Sequence, residues 1–252
     1  MSKIECSEGL EKLFFELASE SRLGILKELQ VKELRMQELA RRLSLTDTEV
    51  SRQLQRLSES MLIQKQPNGT YTLTGYAKLV LSICSPLGFV SRYKEYFRDH
   101  DSSLLPIEFR ARLAELSGGT LFHRTVEHIN KTTEMFCGAQ KRIDTVVLGG
   151  VALIEILKQR SQEGVKIRWL MHESFIPNAP SVLSSWKRLP EIRTTPKVLG
   201  YVVVTDKAAL LSILENDGTM SYSPFYGEDV SFLKWTEDLF IHEWEKAKPW
   251  HP

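Results

Sequence analysis

The chain is expected to fold as an α+β winged helix-turn-helix domain followed by an α/β sandwich sensor domain. Three observations predict it. Two short amphipathic helices and an alternating hairpin follow one another between Met36 and Gly75; beyond Thr120, β-branched runs alternate with stretches of helical periodicity; and charge is distributed unevenly between the two parts. Residues 31–80 hold eight Lys or Arg against five Asp or Glu, whereas residues 101–252 hold 18 against 19, so a basic front is joined to a neutral remainder. At 252 residues, a small domain (1–82), a helical linker with a possible dimerisation role (83–117) and a larger domain (118–252) are expected.

Leu10, Leu13, Phe14 and Leu17 form one apolar stripe, and Leu23, Ile25, Leu26 and Leu29 a second after Ser19-Glu20-Ser21. Leu34 and Arg35 fit a short strand. Leu39, Ala40 and Leu43 then share one helical face. Thr46 suits an N-cap, with Glu49 completing a T-x-x-E capping box, so a second helix starts near Asp47. Val50, Leu54 and Leu57 point it inward against the first helix. Thr48, Ser51, Arg52, Gln55 and Arg56 are left outside, sized for base edges and phosphates in a major groove.

Met61-Leu62-Ile63 leads to a turn at Pro67-Asn68-Gly69, and Thr70 to Thr74 alternates at period two. Lys65, Asn68 and Thr70 would sit where a hairpin tip meets the backbone or minor groove, with Arg41 as a further phosphate contact.

The run LARRLSLTDTEVSRQLQRLSESMLI resembles the core of archaeal and bacterial winged-helix transcriptional regulators of the ArsR and TrmB kind, and LASESRLGILKEL resembles the first helix of ArsR-like domains. The resemblance implies double-stranded DNA as partner, read by the second helix, and dimerisation to match a palindromic site. Many such turns carry glycine where Ser44 stands, which implies a slightly different turn geometry.

From Gly75 to His100 a helix is expected, broken or kinked at Pro86, with Tyr76, Leu79, Val80 and Ile83 on one face. That face needs a cover, either the chain itself or the same helix of a second subunit. A helix over Ile107 to Leu116 closes at Ser117-Gly118-Gly119. Next come a helix from Leu121 to Lys141, a strand from Ile143 to Leu148, a helix after Gly149-Gly150 and a strand from Val165 to Met171, which make a βαβ unit. Ile192 to Thr194, Gly200 to Thr205 and Ala208 to Leu214 read as strands, and Val230 to Ala247 as the last helix. The VVVTDKAALL hairpin with its aromatic C-terminal helix resembles the effector-side domain of methanogenesis regulators of the archaeal filamentation-regulator type, and more distantly the phospholipase-D-like sensor half of TrmB proteins.

Phospholipase-D chemistry needs H-x-K, and none of His100, His123, His128, His172, His242 or His251 has a lysine two residues on. G-x-S-x-G, P-loop and dinucleotide fingerprints are missing too. His123 and His128, five apart, fall on different helical faces. No catalytic residue, metal or cofactor is therefore expected, and the chain is read as not an enzyme. Gly149 and Gly150, at a strand end opening a helix, are the candidate site for a small anionic effector; the alternative is a tight turn without a ligand. All five tryptophans lie in the second domain, mostly as core.

Cys6, Cys84 and Cys137 are scattered and read as buried reduced thiols. With no secretory signal and no apolar run of membrane length, the protein is expected in the cytoplasm, away from membranes. The competing functions are a winged-helix protein-interaction module in a larger assembly, with a structural α/β domain, which the arginines on the second helix speak against, and an enzyme with a fused DNA-binding domain, which the missing catalytic motifs speak against.

Overall fold

The computed structural model describes residues 9–146 and 151–251, and the chain divides into two compact units, 1–85 and 86–252. In the first unit, α1 (Leu10–Leu17) and α2 (Glu20–Val31) precede α3 (Met36–Leu43) and α4 (Asp47–Glu59). A hairpin of β1 (Ile63–Lys65) and β2 (Tyr71–Leu73) follows, then α5 (Gly75–Arg92). Ile25, Leu26, Leu34, Leu39, Val50, Leu54, Leu57 and Leu62 are all but fully buried, so the helical stripes legible in the sequence converge on one core.

The hairpin pairs antiparallel with Ile63 opposite Leu73 and Lys65 opposite Tyr71. Leu34 adds a bridge to Tyr71, with backbone bonds of 3.3 and 2.8 Å, as the sequence suggested. Gly69, at φ 84°, turns the tip in a conformation that costs a side-chain-bearing residue strain.

α5 differs from expectation. It runs unbroken through Pro86, and the break falls at Tyr93 (φ −109°, ψ 33°), before α6 (Lys94–Asp99). Proline removes one helical hydrogen bond, but buried Ala77 and Val80 before it and Phe89 after it anchor the flanking turns, and that packing outweighs the local loss. Cys84 is half-buried and Cys137 exposed, so neither is the fully buried thiol expected; Cys6 lies outside the described residues.

In the second unit the chain continues through α7 (Ile107–Arg110), β3 (Thr120–Leu121), α8 (Thr125–Gly138), β4 (Arg142–Val146), α9 (Val151–Gln162), β5 (Lys166–His172) and α10 (Ala179–Leu183). It ends with β6 (Glu191–Thr195), β7 (Gly200–Thr205), β8 (Ala209–Ile213), β9 (Phe225–Gly227), α11 (Val230–Lys246) and β10 (Lys248–Trp250). One eight-stranded sheet has the order β10-β6-β5-β4-β7-β8-β9-β3. β4, β5 and β6 are parallel, with β4 and β5 joined through α9 as the βαβ unit requires, and the other neighbours are antiparallel.

Both faces of the sheet are covered. Val202 and Val204 of β7 join a core with α11, α6 and α7, while Tyr201 and Val203 of the same strand join another with α8, α9 and α10. A strand buried on both sides reads as a continuous apolar run, as GYVVVT does. The segment expected as a linker is core-forming from Phe89 onward: Tyr96, Leu105, Phe109, Leu113 and Leu116 are buried against α11 and the sheet.

Asp144 on β4 is 1% exposed and accepts both forks of Arg168 at 2.7 Å; that guanidinium also lies over Phe240 and Trp244 of α11. A bidentate pair with its cation on aromatic faces satisfies a charge that burial would otherwise penalise heavily.

Candidate nucleic-acid interface

Local backbone chemistry sets the angle between α3 and α4. Ser44 stands at φ 54°, ψ 39°, the left-handed conformation that glycine adopts at little cost, and the Leu45 N–H returns to the Ala40 carbonyl at 3.0 Å. Ser44 therefore carries its side chain in a conformation that glycine adopts most readily. Thr46 caps α4 by accepting from the Glu49 N–H at 3.2 Å. The expected capping box is only half made: the Glu49 carboxylate accepts instead from the Ser21 hydroxyl at 2.9 Å, fastening α4 to α2.

With Val50, Leu54 and Leu57 buried, α4 presents Thr48, Ser51, Arg52 and Gln55 on its exposed side. Arg52 makes no ion pair among the described residues, and neither does Arg41, exposed on the last turn of α3. Arg42 is held by Glu28 at 2.7 Å. Gln55 donates along its own helix to Glu59 at 2.9 Å, an exposed bond that a competing partner can replace.

Arg56 is placed differently from the rest. Its guanidinium meets Glu16 of α1 at 2.7 Å and lies 5.1 Å from the centre of the Phe15 ring. The hydrogen bond to Glu16 holds the Arg56 pKa above its ordinary value. Glu16 also meets Arg22 at 3.0 Å, and buried Arg22 donates to Gln53 of α4 at 3.1 Å. Arg56, expected as a phosphate contact, thus ties α1 to α4.

On the wing, Lys65 is exposed with its ammonium 5.8 Å from the Tyr71 ring centre. The Asn68 side-chain oxygen accepts from the Thr70 N–H at 3.0 Å and from the Thr70 hydroxyl at 2.7 Å, so both residues first serve to build the turn. Thr70 Oγ1 also contacts Glu33 at 3.0 Å. Arg35 was missed by sequence reasoning. It is exposed and donates to the Asn68 carbonyl at 3.4 Å, bracing the wing against the start of α3; a basic residue just before a helix was the available signal. At the same helix start Glu38 accepts from the Arg35 N–H, and this bond lowers the Glu38 pKa.

Gly149 and Gly150, expected to hold an anion, lie outside the described residues. Of the histidines, His172 is internally satisfied, its ring nitrogens lying 2.7 Å from Ser174 Oγ and 2.9 Å from the Pro196 carbonyl. His128 is 5% exposed, edge-on to Tyr201 at 4.6 Å, with Nδ1 unpartnered; loss of water lowers its pKa. Among the described residues no helix is long and apolar enough to cross a membrane.

No curated protein matches the chain. Similar solved structures include TrmBL2, described as an archaeal chromatin protein with a novel mode of DNA binding, at 17% identity over 95% of this chain and 99% of that one, with a TM-score of 0.44. NucT from Helicobacter pylori is 12% identical over 52% of this chain and 98% of its own, at a TM-score of 0.42. An O-methyltransferase family protein from Burkholderia thailandensis is 14% identical over 75% of this chain and 61% of its own, at a TM-score of 0.29. Likenesses of this strength transfer neither a partner nor a reaction. Methyltransferases, one of them S-adenosylmethionine-dependent, are also among the similar structures, at TM-scores of 0.25 to 0.30, and with them the expectation that the chain is not an enzyme is withdrawn. Missing nucleophile motifs cannot exclude catalysis by positioning alone. Residues 10–89, from α1 into α5, match the family model described as the HVO_A0261 N-terminal domain.

Proposed function

We propose that the chain is a DNA-binding transcriptional regulator that reads double-stranded DNA with α4 and its wing and senses a small molecule with its second unit. One observation carries the DNA reading. Thr48, Ser51, Arg52 and Gln55 form an exposed hydrogen-bonding face on a helix whose opposite face is buried, with a hairpin carrying Lys65 in the same unit. Arg52 and Gln55 suit guanine and adenine edges, while Arg41, Lys65 and Asn68 suit phosphates or the minor groove.

The regulator acts as a homodimer in this reading. Tyr76, Leu79 and Ile83 of α5 are 45%, 60% and 63% exposed, and Phe14 and Phe15 of α1 are 51% and 61% exposed, more apolar surface than scattered single residues require. An interaction module would use the same stripe but would have no need for the charged face of α4. Gly149 and Gly150 remain the proposed anion contact on the sensing side.

The test is fluorescence anisotropy against genomic fragments over a salt series. Binding that selects particular fragments and weakens linearly in log salt supports the reading, with a slope of about −0.9 per phosphate neutralised. Equal, weak binding to every fragment refutes it.

A further inference from the structure

We infer that a cleft in the second unit, bounded by α6 and its approach and by the β3 edge, binds a small, multiply charged oxyanion. The cleft has a volume of about 520 Å³, and Arg92, Lys94, Arg98, His123, His100 and Ser223 line it. That volume lies within the range that takes compact organic ligands.

Its charges are arranged for an anion that brings more than one negative group. Arg92, Lys94 and His123 are exposed and enter no ion pair among the described residues. Glu95 and Asp99 also line the cleft, but Asp99 is occupied by both forks of Arg98 at 2.8 Å. Arg92 offers a planar fork and Lys94 a point charge, two cation types suited to phosphate or carboxylate oxygens.

The wall behind these side chains is fixed before any ligand arrives. His100 is 8% exposed and stacks on Tyr96 at 3.6 Å between ring centres. Its Nδ1 lies 2.6 Å from the Tyr96 carbonyl, which can only accept, so Nδ1 carries the proton and Nε2 receives the Ser221 hydroxyl at 2.7 Å. Asn216 bonds the carbonyls of Arg98 and Asp99 at 2.8 and 3.0 Å, and the Asp101 N–H reaches the Leu214 carbonyl at 2.9 Å. The end of α6 is thereby clamped to the turn after β8, so the backbone that carries Arg98 and His100 is fixed before binding. The recess, with Glu95 and the paired Asp99 interrupting its cations, favours a small ligand over a duplex, which needs a running basic surface.

This assignment rests on the reading that the second unit takes a small ligand; DNA binding by the first unit is not required. The test is calorimetric titration of the full chain with inorganic pyrophosphate and with citrate, against sodium chloride at matched ionic strength. The expected result is saturable binding of at least one probe at one site per chain. In Arg92→Gln/Lys94→Gln it weakens by about tenfold or more, since two charge-assisted contacts are lost; in Lys207→Gln it is unchanged. Binding that persists undiminished in the double variant overturns the site while leaving a ligand-sensing unit standing. No heat beyond the salt control with either probe overturns the oxyanion class. Loss of DNA affinity in the double variant, without binding of either probe, assigns the cleft to duplex backbone and refutes the proposal.

Discussion

Glu16 of α1 accepts a hydrogen bond from Arg56 of α4 at 2.7 Å, and its second oxygen meets buried Arg22 at 3.0 Å. One carboxylate therefore locates α4 relative to α1. Arg56→Gln is expected to lower the thermal midpoint while leaving the slope of log affinity against log salt unchanged. A residue that instead neutralised a phosphate would reduce that slope by about one. Thermal melts and anisotropy on the same variant separate the two.

The exposed apolar residues of α1 and α5 give a second expectation under the proposed dimer. Ile83→Glu places a charge on a residue 63% exposed in the chain, so the fold tolerates it, but a subunit interface there does not. Light scattering should show the mass fall from two chains to one. An unchanged dimer moves the interface elsewhere.

Much of the first unit was legible in the sequence, for reasons visible in particular residues. Val50, Leu54 and Leu57 announced the buried side of α4 by spacing alone, and Pro67-Asn68-Gly69 announced the turn. Sequence spacing could not show that Glu49 would bond Ser21 or that Arg56 would bond Glu16, because both partners come from distant helices. In the second unit the runs buried on both faces were clear, whereas β3, β9 and β10, only two or three residues long, carry too little periodicity to see. Pro86 misled because packing at both flanks overrides the local penalty. The Arg92 and Lys94 cleft was invisible for a related reason: its walls are brought together by the turn after β8, more than a hundred residues away.

Gly200 opens β7 at φ 153°, and a Cβ there would lie 2.0 Å from the Ser212 carbonyl oxygen and 2.7 Å from Ile213 Cα. Both are backbone atoms of the paired strand and cannot step aside without opening the sheet. Gly200→Ala should cost more than about 3 kcal/mol. Chemical denaturation checks this, and a loss under about 1 kcal/mol would contradict the pairing of Gly200 with Ile213 across β7 and β8.

His128 makes stability depend on pH. Burial lowers its pKa below the ordinary value of 6.5, so the unfolded chain binds the proton more readily than the folded one. This contribution to stability is full above about pH 6.5 and is lost as the pH falls towards the lower folded value. Denaturation midpoints of the parent should drop across that interval more steeply than those of His128→Gln. Parallel curves would show that the ring does not resist protonation.

In the proposed reading, recognition of DNA depends most on the exposed side of α4, and Arg52 is its sharpest probe. Fragments selected by the parent chain from a random duplex library should be compared for binding to parent and Arg52→Ala at fixed salt. The expected result is a loss of about 1 to 3 kcal/mol on the preferred sequence, with tolerance gained at one base position. Binding by Arg52→Ala as tight and as selective as the parent's would contradict the reading of DNA by this helix.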